Sequence, residues 1–125
     1  MEKEYTYLDK KYKTVPDVTG MNIDEAKKML KNFDIKPPFF EVGPKAFLYG
    51  EQMLKLAKVI DKTAMKYDVD VIVTPQYTDI KLLADNTERI FVFAQHMDAL
   101  VPGRGLGSVL PEAVKAAGAK GVMLN

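Results

Sequence analysis

The chain has 125 residues, 47% of them hydrophobic, with 18 basic and 17 acidic side chains that leave a net charge of +1. Charges so nearly balanced and so evenly scattered exclude the one-signed field of a nucleic-acid or anionic-membrane binder. The absence of cysteine excludes a disulfide framework and thiol chemistry, and no run of about 18 apolar residues reads as a membrane span.

The charged opening, residues 1–13, lacks the apolar centre of a signal peptide, so a cytoplasmic chain is expected. Tyr5 and Tyr7 alternate with polar residues, the pattern of a short strand, and Lys10, Lys11 and Lys13 are expected in solvent. Asn22 can cap a helix, with Glu25 three residues on to complete a capping box. Ile23, Ala26, Leu30 and Phe33 follow at helical spacing and predict a helix over residues 22–32. Lys36-Pro37-Pro38 then fixes an extended join, because two prolines forbid helix there. This join divides an amino-terminal extension, residues 1–36, from a domain spanning residues 37–125.

Beyond the join, Phe39–Val42 reads as a strand ended by Gly43-Pro44. Met53, Ala57, Ile60 and Ala64 form the stripe of an amphipathic helix over 50–66. Residues 69–73 read as a strand, Thr74-Pro75-Gln76 as a tight loop, and 78–85 as a short helix capped by Thr78 with Leu82 and Leu83 facing inward. Ile90–Ala94 is an apolar strand, followed by a Gly-rich loop. A helix over 111–117 is opened by Pro111 and closed by Gly118, and residues 121–124 form a last strand. Alternating strands and helices predict an α/β fold with a parallel four-stranded sheet and right-handed crossovers. Functional residues of such folds lie at the carboxyl ends of the strands.

The segments VFAQHMD (residues 92–98) and PGRGLGSVLPEAVKAAGAKGVMLN (residues 102–125) resemble the third strand, third loop, third helix and fourth strand of the triosephosphate isomerase family. They are closest in character to its archaeal-type members and bacterial paralogues, and the resemblance runs from about Phe39 to Asn125. It implies the parallel four-stranded half of a TIM-type (β/α)8 barrel with a short helical amino-terminal extension. A complete barrel needs at least about 200 residues, so the chain is expected to be the amino-terminal half of one. In the family, the segment bearing the catalytic histidine follows the position of Asn125. Separately, VPDVTGM (residues 15–21) followed by a helix with a Glu25-Ala26 pair resembles the opening of a PASTA module, the small repeat of bacterial cell-wall kinases and penicillin-binding proteins. That resemblance covers Thr14–Ile35.

Lys45 stands just past the first barrel-like strand, where a cation can hold a phosphoryl group and stabilise a developing enolate oxygen. The resemblance gives it that role: the family motif is Asn-x-Lys, and here it reads Gly43-Pro44-Lys45, with Gly43 in the substrate-binding place of the asparagine. His96 is the only histidine, which excludes a histidine metal cluster. It can be read as a general base or as a residue that fixes a loop or an oligomer contact. The family resemblance implies the second, for Gln95 and His96 together. Gly103-Arg104-Gly105-Leu106-Gly107 lacks the lysine and the Ser/Thr of a phosphate-binding P-loop. The resemblance makes it an interface loop carrying Arg104 and Leu106 into a neighbouring subunit, with Leu106 where the family usually has threonine. Glu41, Asp70 and Asp98 offer no carboxylate pair, and only Glu41 interrupts an otherwise apolar strand.

Three functional readings follow. One is the amino-terminal half of an aldose–ketose sugar phosphate isomerase of glycolysis, inactive alone, with a small phosphorylated sugar as substrate and no cofactor or metal. Another is a non-catalytic, self-associating half-barrel, a truncated or chimeric protein whose open strand edges favour a homo-oligomer. The last is a PASTA-like cell-wall binding module.

Overall fold

A computed structural model describes residues 4–7 and 10–13 as backbone, and residues 22–25 and 35–123 with side chains. Packing divides the chain into two units, residues 1–39 and 40–125.

In the first unit, β1 (Glu4–Tyr7) pairs antiparallel with β2 (Lys10–Lys13), Glu4 opposite Lys13 and Tyr7 opposite Lys10. The Tyr5/Tyr7 alternation therefore marks a strand. Its partner, Lys-Lys-Tyr-Lys, escaped the sequence reading because a mostly lysine segment shows no apolar alternation. Residues 23–25 are helical, and Asn22 Oδ1 accepts the Glu25 N–H at 2.9 Å, the cap expected at this position. The continuation of that helix through Ala26, Leu30 and Phe33, the VPDVTGM motif, and the side chains of Lys10, Lys11 and Lys13 lie outside the described residues.

The remainder alternates strand and helix as its sequence periodicity dictates. In order come β3 (Phe39–Val42), α1 (Gly50–Tyr67), β4 (Asp70–Val73), a 3-10 turn (Tyr77–Asp79), α2 (Ile80–Asn86), β5 (Phe91–Ala94), α3 (Pro111–Ala116) and β6 (Gly121–Val122). The strands form one four-stranded parallel sheet in the order β3-β4-β5-β6. Ile72 lies opposite Phe91 and Val73 opposite Val92; Phe93 lies opposite Gly121 and Ala94 opposite Val122. Sequential neighbours joined through helices give an α/β fold consistent with half of a TIM-type barrel.

The helix-facing core is built from the predicted stripe. Met53, Ala57 and Ala64 of α1 are fully buried against Val71 and Val73 of β4, Val92 and Ala94 of β5, and Ile80 and Leu83 of α2, with Ile60 and Val42 packed at its margin. Every residue of β4 is buried, as a central parallel strand requires. α1 ends where Asp68 turns left-handed (φ 51), with the Val69 N–H returning to Ala64 O at 3.1 Å. After α3, Gly118 has φ 107, and a Cβ there would lie 2.5 Å from Ala84 Cβ; both the turn and the closeness of the two helices require glycine.

Thr78 does not cap α2. The 3-10 turn starts one residue before it, Asp79 holds the cap position of α2 without a side-chain cap bond, and the Thr78 hydroxyl lies 3.4 Å from Asp79 Oδ1. Asp79 organises this corner instead: it is buried, and its Oδ2 accepts the N–H of Gly50, the first residue of α1, at 2.7 Å. Its carboxylate thus satisfies an orphan N–H of α1 rather than one of α2.

At the amino-terminal edge of the sheet a second aspartate has the same task on a larger scale. Asp61 of α1 is buried and accepts the backbone N–H groups of Glu88, Arg89 and Ile90, with contacts of 2.7–3.2 Å. The Arg89 guanidinium meets Asp70 at 2.9 Å and Asp68 at 3.0 Å. These contacts fix the entry into β5.

Candidate functional site

The carboxyl ends of β3, β4 and β5 bring three short segments together: Gly43-Pro44-Lys45, Thr74-Pro75-Gln76 and Gln95-His96. A tight turn, closed by the Phe47 N–H on Pro44 O at 3.0 Å, carries Lys45. The Lys45 backbone is left-handed, with φ 53, a conformation that an unbranched non-glycine residue holds at a cost of about 1 kcal/mol or more. Two amides hold it: Gln76 Nε2 donates to Lys45 O at 2.8 Å and Gln95 Nε2 to the same oxygen at 2.9 Å. Gln95 Nε2 also donates to Thr74 O at 3.0 Å. The Lys45 side chain is exposed, and among the described residues no carboxylate lies within ion-pair distance of it.

Gly43 is fitted to a neighbouring acid. A Cβ built on Gly43 would sit 2.7 Å from Glu41 Oε1 and 3.3 Å from Thr74 Oγ1, and the Thr74 hydroxyl donates to that same Glu41 oxygen at 3.1 Å. Glu41, the one charge within β3, thus fills the space that a side chain at residue 43 would enter.

His96 is paired with the loop that follows β5. Its Nε2 is 3.0 Å from Asp98 Oδ1. Asp98 closes the loop at its base, because its N–H donates to Val109 O at 2.9 Å and its Oδ2 accepts the Val109 N–H at 2.6 Å. The Val109 N–H and then His96 hold the Asp98 carboxyl below its ordinary value. Tyr77 is shifted the other way, upward, first by burial and then by the Asp98 charge. Within the loop that this clasp closes, residues 101–108 are exposed, Arg104 and Leu106 among them, and Leu106 is fully so.

The structure therefore brings Gly43, Lys45 and Gln95 together, ties His96 to Asp98, and sets Arg104 and Leu106 apart on the loop. Sequence reasoning missed Gln76 as a partner of Lys45 and Thr74 as a partner of Glu41. Their position directly after β4 was the available signal. Among the described residues, no group of three or more His, Cys, Asp or Glu side chains could hold a metal ion, and no helix is long and apolar enough to cross a membrane.

The triosephosphate isomerase family model matches residues 45–125, opening on Lys45 itself. The chain belongs to the triosephosphate isomerase family. Among curated relatives, triosephosphate isomerase of Sulfurisphaera tokodaii is 42% identical over 93 residues, which make up 73% of this chain and 40% of the relative. Those of Methanothermus fervidus and Methanobacterium bryantii are 45% and 46% identical over 76 residues, 61% of this chain and 34% and 33% of theirs. The chain spans at most 40% of the length of these relatives. A PASTA domain model matches residues 13–43 and so includes β3. The two family matches abut at residues 43–45, whereas packing divides the chain between Phe39 and Phe40 and the Pro37-Pro38 join lies earlier still.

Proposed function

We propose that this chain supplies the lysine-bearing part of an aldose–ketose sugar phosphate isomerase site, and that the 125-residue polypeptide assayed by itself shows no turnover. One observation carries the reading: in a member of this family, an exposed lysine is held on a left-handed turn at the carboxyl end of a barrel-type strand. A fixed cation there can bind a phosphoryl group and stabilise the negative charge of an enediolate. Isomerisation also needs a base within hydrogen-bond reach of the substrate. The nearby carboxylates are otherwise engaged: Glu41 with the Thr74 hydroxyl, Asp79 with the Gly50 N–H, and Asp98 in a clasp that lowers its basicity. No turnover of dihydroxyacetone phosphate to glyceraldehyde 3-phosphate is therefore expected, and a rate above background that Lys45→Met removes would overturn the inactivity.

The proposed setting is the cytoplasm, with a small phosphorylated sugar and a second copy of the chain as partners. Support for the second copy comes from the exposed Leu106 on the loop past His96, and from the outer strands β3 and β6, each with one sheet neighbour among the described residues. Sedimentation equilibrium at tens of micromolar should show a dimer or larger species; a monomer would remove it. The PASTA match favours a fused origin and a second reading for the amino-terminal unit alone, binding of peptidoglycan fragments. Pull-down on purified peptidoglycan, compared with the chain lacking residues 1–36, tests this, and equal retention of the two would end it.

A further inference from the structure

We propose that Gln95 and Gln76 are positioning residues for Lys45: their side-chain amides fix its carbonyl and so keep the left-handed backbone that aims the ammonium at an anionic ligand. This rests on the reading of Lys45 as the phosphate-binding cation.

The donors and acceptors balance. Each carboxamide has two N–H donors. Those of Gln76 go to Lys45 O at 2.8 Å and, more weakly, to Gln95 Oε1 at 3.4 Å. Those of Gln95 go to Lys45 O at 2.9 Å and Thr74 O at 3.0 Å. Both lone pairs of the Lys45 carbonyl are thereby used, each from the carboxyl end of a different strand. A doubly bonded carbonyl fixes the plane of the following peptide. With φ at 53, Lys45 sits in a region that an unbranched side chain leaves unless its surroundings hold it. The geometry also suits the local sequence. At Gly43, where a side chain could reach over to brace the turn, the Glu41 carboxylate already occupies the space, so bracing falls to residues from the next two strands. Both glutamines act through the main chain of Lys45.

The test uses the full 125-residue chain labelled with 13C-lysine, with inorganic phosphate as the probe. The Lys45 13Cε resonance is identified by its loss in Lys45→Met, and its shift on phosphate titration gives an apparent affinity. Gln95→Met and Gln76→Met keep side-chain length and remove the donors without adding charge. The expected result is a phosphate dissociation constant raised about five- to tenfold in Gln95→Met, of the order released when a strained backbone well is freed. A smaller rise is expected in Gln76→Met, with thermal midpoints within a few degrees of the parent. An affinity unchanged in both variants would overturn the proposal and leave Lys45 as the phosphate residue. A parent chain whose Lys45 resonance does not respond to tens of millimolar phosphate would overturn the reading of Lys45 and the positioning with it. Should Gln95→Met fail to fold, Gln76→Met decides: a weakened affinity supports the proposal and an unchanged one overturns it.

Discussion

The two ends of the parallel sheet use polar groups in opposite ways. At the amino-terminal edge, two aspartates are buried and matched: Asp61 takes three backbone N–H groups, and Asp70 meets the half-buried Arg89, which also reaches the exposed Asp68. At the carboxyl-terminal edge Asp79 is likewise buried on the Gly50 N–H, but neutral amides hold Lys45, whose charge stays exposed on a strained turn. A buried carboxylate surrounded by donors has its field neutralised where it stands, so it serves the fold. An exposed cation whose backbone is fixed and whose ammonium is unopposed keeps its field for a ligand. Within one sheet, the edge that closes its electrostatics is architectural and the edge that leaves a cation open is the candidate site, in keeping with where barrel folds place their chemistry.

The sharpest way to break this contrast is at Asp61. Replacing it with alanine leaves the N–H groups of Glu88, Arg89 and Ile90 without their acceptor beside the buried start of β5. Charge-assisted hydrogen bonds contribute about 1.5–3 kcal/mol each, non-additively, so Asp61→Ala should lower the unfolding free energy by about 3 kcal/mol or more. Urea denaturation followed by far-UV circular dichroism measures it. A loss below about 1 kcal/mol would mean that water replaces the carboxylate and that the amino-terminal edge is not closed as described.

Asp61 also shows where sequence reading stops. The helix stripe Met53, Ala57, Ile60 and Ala64 was legible from its period, and the strands and helices of residues 39–122 lie within a few residues of their predicted bounds. Asp61 lies on that same stripe, four residues past Ala57 and three before Ala64, and an acid there was the available signal of a buried acceptor. Hydropathy periodicity registers such a residue as an interruption; only the return of the chain to residues 88–90 shows what it binds. Lys45 was legible through its place after a strand and through the family motif. The amides that hold it were not, because Gln76 and Gln95 are separated from it by 31 and 50 positions. Hydrogen bonds to main-chain carbonyls leave no mark in side-chain pattern. The Lys10–Lys13 strand was missed for a related reason, since ladder pairing is a main-chain property that lysines neither favour nor forbid.

A second substitution probes the carboxyl-terminal edge. Gly43→Asn restores the residue type of the Asn-x-Lys motif but sets its Cβ against Glu41 Oε1. That atom is the end of a flexible side chain, so the acid can swing away, giving up its bond with the Thr74 hydroxyl. The expected loss is about 1 kcal/mol, the net value of one such hydrogen bond, and most of it should disappear in a Glu41→Ala background. Equal losses in both backgrounds would show that residue 43 and Glu41 are not coupled, and that the glycine is not there for the carboxylate. The much smaller effect than at Asp61 follows from exposure: Glu41 can exchange Thr74 for water, whereas the amides around Asp61 have less access to it.

The smallest effect concerns the loop clasp, which lies on the carboxyl-terminal side yet closes a charge as the amino-terminal edge does. Asp98 binds the Val109 N–H and His96, and these hold its carboxyl below its ordinary 3.8. A depressed folded value means that the clasp's contribution is present above the unfolded value and is lost as pH falls through the lower folded one. The Val109 amide proton should therefore stay hydrogen-bonded at pH 5, and its resonance should move upfield only on acidification below 3.8. In Asp98→Asn that acid transition should vanish. Tyr77 supplies a second reading at the alkaline end. Its phenol is raised above 10.0 by burial first and by the Asp98 charge second, so Asp98→Asn should bring it only part of the way back. A Tyr77 titration unmoved by Asp98→Asn would leave burial as the whole cause. A Val109 transition above 3.8 would mean that the clasp does not hold the carboxylate.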